Sequence, residues 1–465
     1  LVRGFSFLVQ SPPLSYFRFV AVSLPDSFLH HIQSQAGLDM PRFLDAHQQA
    51  APVSVRCHPR KGANHFKEHR SVAWHPFGRY LPERPDFTLD PLFHAGAYYV
   101  QEASSMSLLQ ALETAFGTSR KLHILDACGA PGGKSTLVAS WLDGEGVLVA
   151  NEVIRSRAGI LKENLDRWGY ANVWVSQNDP RQLGKLEGLF DAIVVDAPCS
   201  GSGMFRKDPQ AIPHWSEDAV QHCCARQERI LEDLWPALKE AGYLIYSTCS
   251  YSEAEDEQRV QALVEEGKAE YVPIPALQHI PGICSTPWGY RFYPGSIEGE
   301  GFFIALLRKT EAQERIRERG KIQWHKPEPE VAEMLRSASA LGLLDTHLGT
   351  VGVPEAFADS YPLLLKHLHL IKIGLRCGDW KGKRFVPDHE LALSIDLRAD
   401  IPHIALTREE ALRYLKKESL ANPYGAEGTV LLCYEGLALG WGNALPNRIN
   451  NGLPKSWRIL KEIPD

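Results

Sequence analysis

Two short motifs place a cysteine where it can do chemistry: Asp196-Ala197-Pro198-Cys199-Ser200-Gly201 and Ser247-Thr248-Cys249-Ser250. Each follows an apolar run that reads as a buried strand, 192–196 and 243–247. Ligands of an open parallel sheet bind beyond the carboxyl ends of its strands, so both thiols are expected to face one crevice. Most free cysteines are inert core residues, whereas a thiolate at an exposed strand end is a nucleophile. Ser252 and Glu255 have the spacing of a capping box, which predicts a helix N-terminus just after Cys249 and a dipole that favours its thiolate.

A third segment supplies a binding turn. Asp126-Ala127-Cys128-Gly129-Ala130-Pro131-Gly132-Gly133-Lys134-Ser135 lies between a predicted strand and a predicted helix, where glycine lets backbone approach a ligand closely. The P-loop pattern fails because Cys128 stands where it needs glycine, and the dinucleotide fingerprint is absent. What remains is an acid at a strand end, a tight turn, and Glu152 after the next strand, placed to accept from ribose hydroxyls. This suits a nucleoside without a phosphate chain. S-adenosylmethionine is such a ligand, with Asp179, after the third strand, in reach of its adenine.

A thiolate beside a methyl donor suggests one reaction. Carbon 5 of cytosine is a poor nucleophile until a group adds to carbon 6, and covalent addition creates an enamine that can take the methyl. Asp196, if held protonated by burial or hydrogen bonding, would bind the base. One cysteine would attack and the other would assist release; the residues alone leave open which is which.

The elements that must position these groups are legible as alternation. Strands are predicted at 122–127, 147–151, 173–175, 192–196 and 243–247, with helices at 135–142, 155–168 and 216–238, which predicts an α/β parallel sheet with crossover helices. Segments 290–293 and 302–307 leave no room for a crossover and read as an antiparallel pair closing the sheet. Upstream, a helical pattern over 25–50 and an aromatic-rich tract over 74–99 suggest a small mixed domain. Downstream, Lys309, Glu311, Glu314, Arg315, Arg317, Glu318, Arg319 and Lys321 with Pro327 and Pro329 read as a charged linker, and 331–465 as small mixed domains with a helix near 407–418 and a strand over 428–434.

Composition sets the bounds. The 465 residues suggest about three units, and 44% hydrophobic with 23% charged residues exclude a disordered or collagenous chain. No run approaches the roughly 20 apolar residues of a membrane span. A net charge of −6 gives no global pull toward nucleic acid, so an RNA site must be a local basic surface. The nine cysteines are scattered without a CxxC pair, which predicts neither a disulfide framework nor a metal site and fits the cytoplasm. The first 23 residues begin without Met and make a poor signal peptide, pointing to a fragment or a misassigned start.

Together these motifs resemble the Nol/Nop/Sun family of RNA cytosine-5 methyltransferases, in its RsmF-like bacterial branch. The resemblance covers nearly the whole chain after residue 23. It implies a Rossmann-like class I methyltransferase domain over 116–310, a small N-terminal α+β RNA-contacting domain over 24–115, a charged linker over 311–330, and a C-terminal extension over 331–465 ending in a PUA-like RNA-binding domain. It also implies that Cys249 is the nucleophile and that Cys199 aids release of methylated RNA. By the same resemblance Asp126, Cys128, Gly129, Ala130, Pro131, Gly132, Gly133, Lys134, Glu152, Asp179 and Asp196 line the S-adenosylmethionine site, with Lys134 near the target base. Arg56, the segment from His94 to Glu102, and Ser104-Ser105-Met106 resemble the RNA-contacting region and its junction with the catalytic domain. Leu439-Gly440-Trp441-Gly442, Arg448, Asn450-Asn451, Leu453-Pro454-Lys455 and Arg458 resemble the closing segment of the PUA-like domain, and Arg376, Lys381, Lys383 and Arg384 around Trp380 would supply phosphate contacts and a stacking face. The expected substrate is ribosomal RNA, namely the small-subunit 16S molecule, naked or in a subunit. The alternatives are tRNA, and a non-catalytic RNA-binding ribosome assembly factor.

Overall fold

The computed structural model describes residues 23–316, 322–325, 329–336, 341–423 and 425–463. The leader expectation, and the part of the linker that holds Arg317, Glu318, Arg319, Lys321 and Pro327, lie outside the described residues.

The centre of the molecule is a sheet whose strands are buried on both faces. Strands β1 (Val53–Cys57), β2 (Gly78–Leu81) and β3 (Tyr98–Val100) form a separate antiparallel sheet upstream. The central sheet begins with β4 (His123–Asp126), β5 (Val147–Asn151), β6 (Val173–Ser176), β7 (Phe190–Asp196) and β8 (Leu238–Thr248). These five are parallel in the order β6-β5-β4-β7-β8. Alternate residues supply two separate cores. Ile124, Leu148, Ala150, Ala192 and Val194 pack into one, and Leu125, Val147, Val149, Ile193 and Val195 into the other. Such near-continuous apolar strands require helices on both faces, which Gly133–Leu142, Arg155–Trp168 and Glu217–Leu234 provide.

The chain runs outward from β4 to β6, then returns to β7 on the other side of β4. The crevice at this reversal, between the carboxyl ends of β4 and β7, is where a Rossmann-like sheet binds ligand. Beyond β8 the sheet turns antiparallel through β9 (Ala269–Tyr271), β10 (Ile283–Thr286), β11 (Gly289–Phe292) and β12 (Phe302–Lys309), in the order β10-β11-β12-β8 with β9 also on β12. The expected closing pair is thus β11 and β12.

Two features escaped pattern reading. The upstream helical pattern resolves into two helices, Asp26–Ile32 and Met40–His47. Their Phe28, Ile32 and Phe43 pack with Phe205, Trp215, Tyr251 and Tyr293 over the loops that follow β7 and β8. Downstream, β13 (Leu341–Thr346) and β14 (Gly349–Pro354) lead to β15 (Leu370–Ile373), which pairs antiparallel with β6 and completes the central sheet at ten strands. Next, β16 (Leu375–Lys381) and β17 (Arg384–Pro387) extend the β13–β14 pair to four strands. The last unit is a five-stranded sheet of β18 (His403–Ala405), β19 (Leu420–Ala421), β20 (Gly428–Tyr434), β21 (Leu437–Leu445) and β22 (Arg448–Asn451), backed by the helix Arg408–Leu415. No helix among the described residues is long and apolar enough to cross a membrane.

Candidate active site

The glycine turn links β4 to the helix Gly133–Leu142 at the switch point. Asp126, the last residue of β4, is fully buried; Ser135 Oγ donates to its Oδ2 at 2.6 Å. Its Oδ1 has no hydrogen-bond partner among the described residues. Burial raises this carboxyl to about 6. The turn is braced from outside: Arg157 donates to Ala130 O at 2.9 Å and Asn164 to Pro131 O at 2.7 Å. Gly132 sits at φ +120°, a conformation open to glycine and costly for other residues. Glu152, at the end of β5, is buried, accepts from Ile154 N at 2.9 Å and pairs with Arg157 at 3.3 Å. Asp126, Asp196 and Glu152 surround Cys128, whose thiol is pushed up by burial and by these three acids. An orphaned buried carboxylate oxygen and a glycine cradle are what a polar nucleoside ligand with hydroxyl and amino donors requires, so the residues present fit S-adenosylmethionine.

Across the crevice lie the cysteines. Asp196 ends β7 beside Ser247 of β8, and the residues that follow bring Cys199 Sγ to 3.2 Å from Cys249 Sγ. Both thiols are free. The Cys199 thiol is held well above its ordinary range, first by its hydrogen bond to Cys249 and then by burial. Lys134, from the glycine turn, reaches across to Asp196 Oδ1 at 2.9 Å, and its ammonium lies 5.0 Å from the centre of the Phe302 ring. Burial opposes the Lys134 charge, but Asp196, Cys249 and Asp126 outweigh it and raise the group. Ser247 Oγ also donates to Asp196 Oδ1, at 2.9 Å. Two cysteines, one cation and one carboxylate from three strand ends therefore meet at the switch point.

Several expectations change. Ser252 and Glu255 do not form a capping box: the next helix begins at Glu257, with Asp256 as its N-cap. No helix N-terminus stands just after Cys249. Glu255 instead turns inward and accepts from Ser200 N at 2.7 Å, Ser200 Oγ at 2.6 Å and Ser250 Oγ at 2.6 Å. Asp196 is not isolated but is the ion-pair partner of Lys134. Asp179 is exposed at the carboxyl edge of the sheet and caps the helix Pro180–Gly184, accepting from Arg181 N at 3.0 Å.

Arg56 lies on the junction side of the region the resemblance marked. It is 1% exposed, donates to Gln101 Oε1 at 2.7 Å and Thr136 Oγ1 at 2.5 Å, and lies over the Trp168 ring. Burial lowers its guanidinium to about 9. It belongs to the junction, where it pins the upstream sheet to the helix of the glycine turn. Ser135, Ser247 and Glu255 stood in the sequence only as motif members or a cap candidate; the structure makes them partners of Asp126, Asp196 and the serines after the cysteines. The serines that directly follow both cysteines were the available signal for a shared acceptor.

Outside the central sheet, the β16–β17 hairpin exposes Trp380, Lys381, Lys383 and Arg384. Arg376 is engaged by Asp379 and Asp388, and Arg384 donates to Thr429 and Asn443. In the closing segment Trp441 is buried and donates to Asp388 O at 2.8 Å, so that residue serves the domain interior.

A switch-point crevice with a glycine turn, acids at successive strand ends and a paired ligand-side thiol site defines a Rossmann-like methyltransferase domain. Known proteins agree with this class. The family model described as 16S rRNA methyltransferase RsmB/F matches residues 114–308. The models of the N-terminal domain of 16S rRNA methyltransferase RsmF and of the methyltransferase RsmF PUA domain match 24–103 and 401–459. The ribosomal RNA small subunit methyltransferase F of Vibrio parahaemolyticus is 32% identical, over 93% of this chain and 97% of its own length. That of Aeromonas salmonicida is 31% identical, over 93% and 96%. A solved methyltransferase homolog protein from Pyrococcus horikoshii aligns with a TM-score of 0.52 at 29% identity, covering 61% of this chain and 94% of that one. The chain belongs to the RsmB/F family of 16S rRNA methyltransferases.

Proposed function

We propose that this chain methylates carbon 5 of a cytosine in small-subunit 16S ribosomal RNA, through a covalent adduct between Cys249 and carbon 6 of the base. The carrying observation is the 3.2 Å contact between the Cys199 and Cys249 sulfurs beside Lys134 and Asp196. A flipped or unpaired cytosine would enter this crevice. When bound, S-adenosylmethionine supplies the electrophilic methyl group. The residues that would hold it are Asp126, Cys128, Gly129, Ala130, Pro131, Gly132, Gly133, Lys134, Glu152, Asp179 and Asp196.

The division of labour is the one the family resemblance implies, with Cys249 as the nucleophile and Cys199 aiding release. The sulfur contact, with the Cys199 thiol raised by it and by burial, is compatible with those roles. Addition of the Cys249 thiolate to carbon 6 moves electron density to carbon 5 and onto the ring. The Lys134 ammonium faces that density and Asp196 keeps the ammonium in place. After methyl transfer the carbon 5 proton passes to solvent water acting as base, the electron pair it leaves reforms the ring double bond, and the carbon 6–sulfur bond breaks with Cys249 departing as thiolate. Cys199, in contact with that sulfur, assists the departure. RNA binding would draw on the N-terminal unit (24–115) and the extension (331–465), joined to the catalytic unit (116–310) directly and through the linker (311–330), with the cytoplasm as the place of action.

The test is incorporation of labelled methyl from S-adenosylmethionine into 16S ribosomal RNA, naked and in small subunits, with mapping of 5-methylcytosine. Cys249→Ala is expected to abolish turnover, and Cys199→Ala to accumulate a covalent protein–RNA adduct. A folded, cofactor-binding protein that yields no 5-methylcytosine on either form of RNA overturns the reading.

A further inference from the structure

Glu255 is a carboxylate with no exposed surface, and no Lys or Arg side chain is paired with it among the described residues. A buried carboxylate without a cation is costly and persists only where hydrogen bonds replace its water. Besides the Cys223 thiol, its donors come from the two residues that directly follow the cysteines. Ser200 gives its N–H at 2.7 Å and its hydroxyl at 2.6 Å, and Ser250 gives its hydroxyl at 2.6 Å. The two serine hydroxyls also lie 3.3 Å apart. The loops that carry Cys199 and Cys249 thus share one acceptor, each joined to it one residue beyond its sulfur.

We propose that Glu255 is a positioning residue that holds the Cys199 and Cys249 loops in register, so that the two sulfurs stay in contact through attack and release. The inference rests on the methyl-transfer reading above. Charge-assisted bonds to one carboxylate fix geometry more firmly than neutral ones. The two loops are also joined further along, by Gly203 N to Cys249 O at 2.8 Å and Tyr251 N to Ser202 Oγ at 3.0 Å, but Glu255 is the one acceptor shared by the residues next to both sulfurs. Loss of the acceptor leaves the three serine donors seeking partners and loosens both loops next to their sulfurs, and a misplacement of this kind slows catalysis by about 10²-fold.

Two readouts on the full-length protein test this. The first needs no RNA: diamide accepts the two hydrogens of a thiol pair as the sulfurs join in a disulfide, itself becoming the hydrazine. The wild-type Cys199–Cys249 pair is expected to close rapidly, identified by peptide mapping, and Glu255→Gln to close at least several-fold more slowly. The second is turnover: Glu255→Ala is expected to lower kcat by about 10²-fold with the KM for S-adenosylmethionine little changed, and to accumulate the RNA adduct. Glu255→Gln, which keeps the shape and one acceptor, is expected to recover part of the rate. Adding Glu255→Ala to the Ser200→Ala/Ser250→Ala pair is expected to cost little more, because with both hydroxyls removed Glu255 keeps only the Ser200 N–H of the three serine donors and no longer joins the two loops. Unchanged disulfide closure in Glu255→Gln, or a Glu255→Ala loss that adds in full to the serine variants, overturns the positioning role. A wild-type protein that closes the disulfide yet makes no 5-methylcytosine overturns the methyl-transfer reading instead.

Discussion

Asp126 shows how one side chain can be legible as a type and illegible as a state. An acid at a strand end before a glycine turn is visible in the sequence, but its orphaned Oδ1 and its rise to about 6 come from burial behind Ser135. The sign of its pH effect follows. Free protein takes up a proton as pH falls through about 6, whereas a ligand that donates to Oδ1 needs the carboxylate. Binding of S-adenosylmethionine is therefore expected to weaken by up to about tenfold per pH unit below that point. Titration calorimetry between pH 5 and 8 checks this, and Asp126→Asn is expected to bind weakly with that pH dependence flattened. Lys134 and Asp196 were each found singly; their ion pair was not, because 61 intervening residues separate positions that only the crossover topology brings together.

At the scale of elements, strand ends were read well and the loops after them poorly. The strands at 192–196 and 243–247 appear as parts of β7 and β8, since apolar runs bounded by turn residues leave few alternatives. The loop after β8 looked like a helix start because Ser252 and Glu255 have cap spacing. Tertiary donors from the β7 loop compete for the same carboxylate and win. The packing between these loops is tight. A Cβ on Gly203 would lie 2.6 Å from Gly301 O and 2.7 Å from Cys249 O, both backbone atoms that cannot turn aside. Gly203→Ala is expected to push the Cys249 loop away and to destabilise the fold by about 1–3 kcal/mol. Denaturant unfolding measures the cost, and methyl transfer is expected to fall while cofactor affinity stays near wild type.

Across the whole molecule, the extension is part of the catalytic sheet rather than an appendage. Strand β15 covers the β6 edge. Behind it, Lys372 bonds Asp166 at 2.9 Å and Glu390 at 2.7 Å, and Lys162 bonds Asp166 at 2.6 Å and Glu390 at 2.7 Å. Burial would raise Glu390, but Lys372 and Lys162 outweigh it and hold it down at about 2. A carboxylate depressed on folding stabilises the protein above its ordinary 4.5, and that contribution is lost as pH falls toward about 2. Lys372→Met leaves two buried carboxylates with one ammonium. It is expected to cost about 3–5 kcal/mol, measured by urea unfolding at neutral pH, and to bring acid unfolding to higher pH.

What the sequence determined by itself is what depends on local pattern. The alternation of apolar runs and helical segments specified the Rossmann-like sheet, and the cysteine motifs and glycine turn specified the ligand side of it, because chemistry at strand ends needs particular residues next to one another in the chain. What only the tertiary structure decided is pairing across distance: the sulfur contact, the Lys134–Asp196 bridge, the burial of Arg56 at the junction, the Glu255 clamp and the docking of β15. Hydrogen-bond partners and burial are set by which chain segments the sheet order brings together, and that order is a property of global packing that no local window contains.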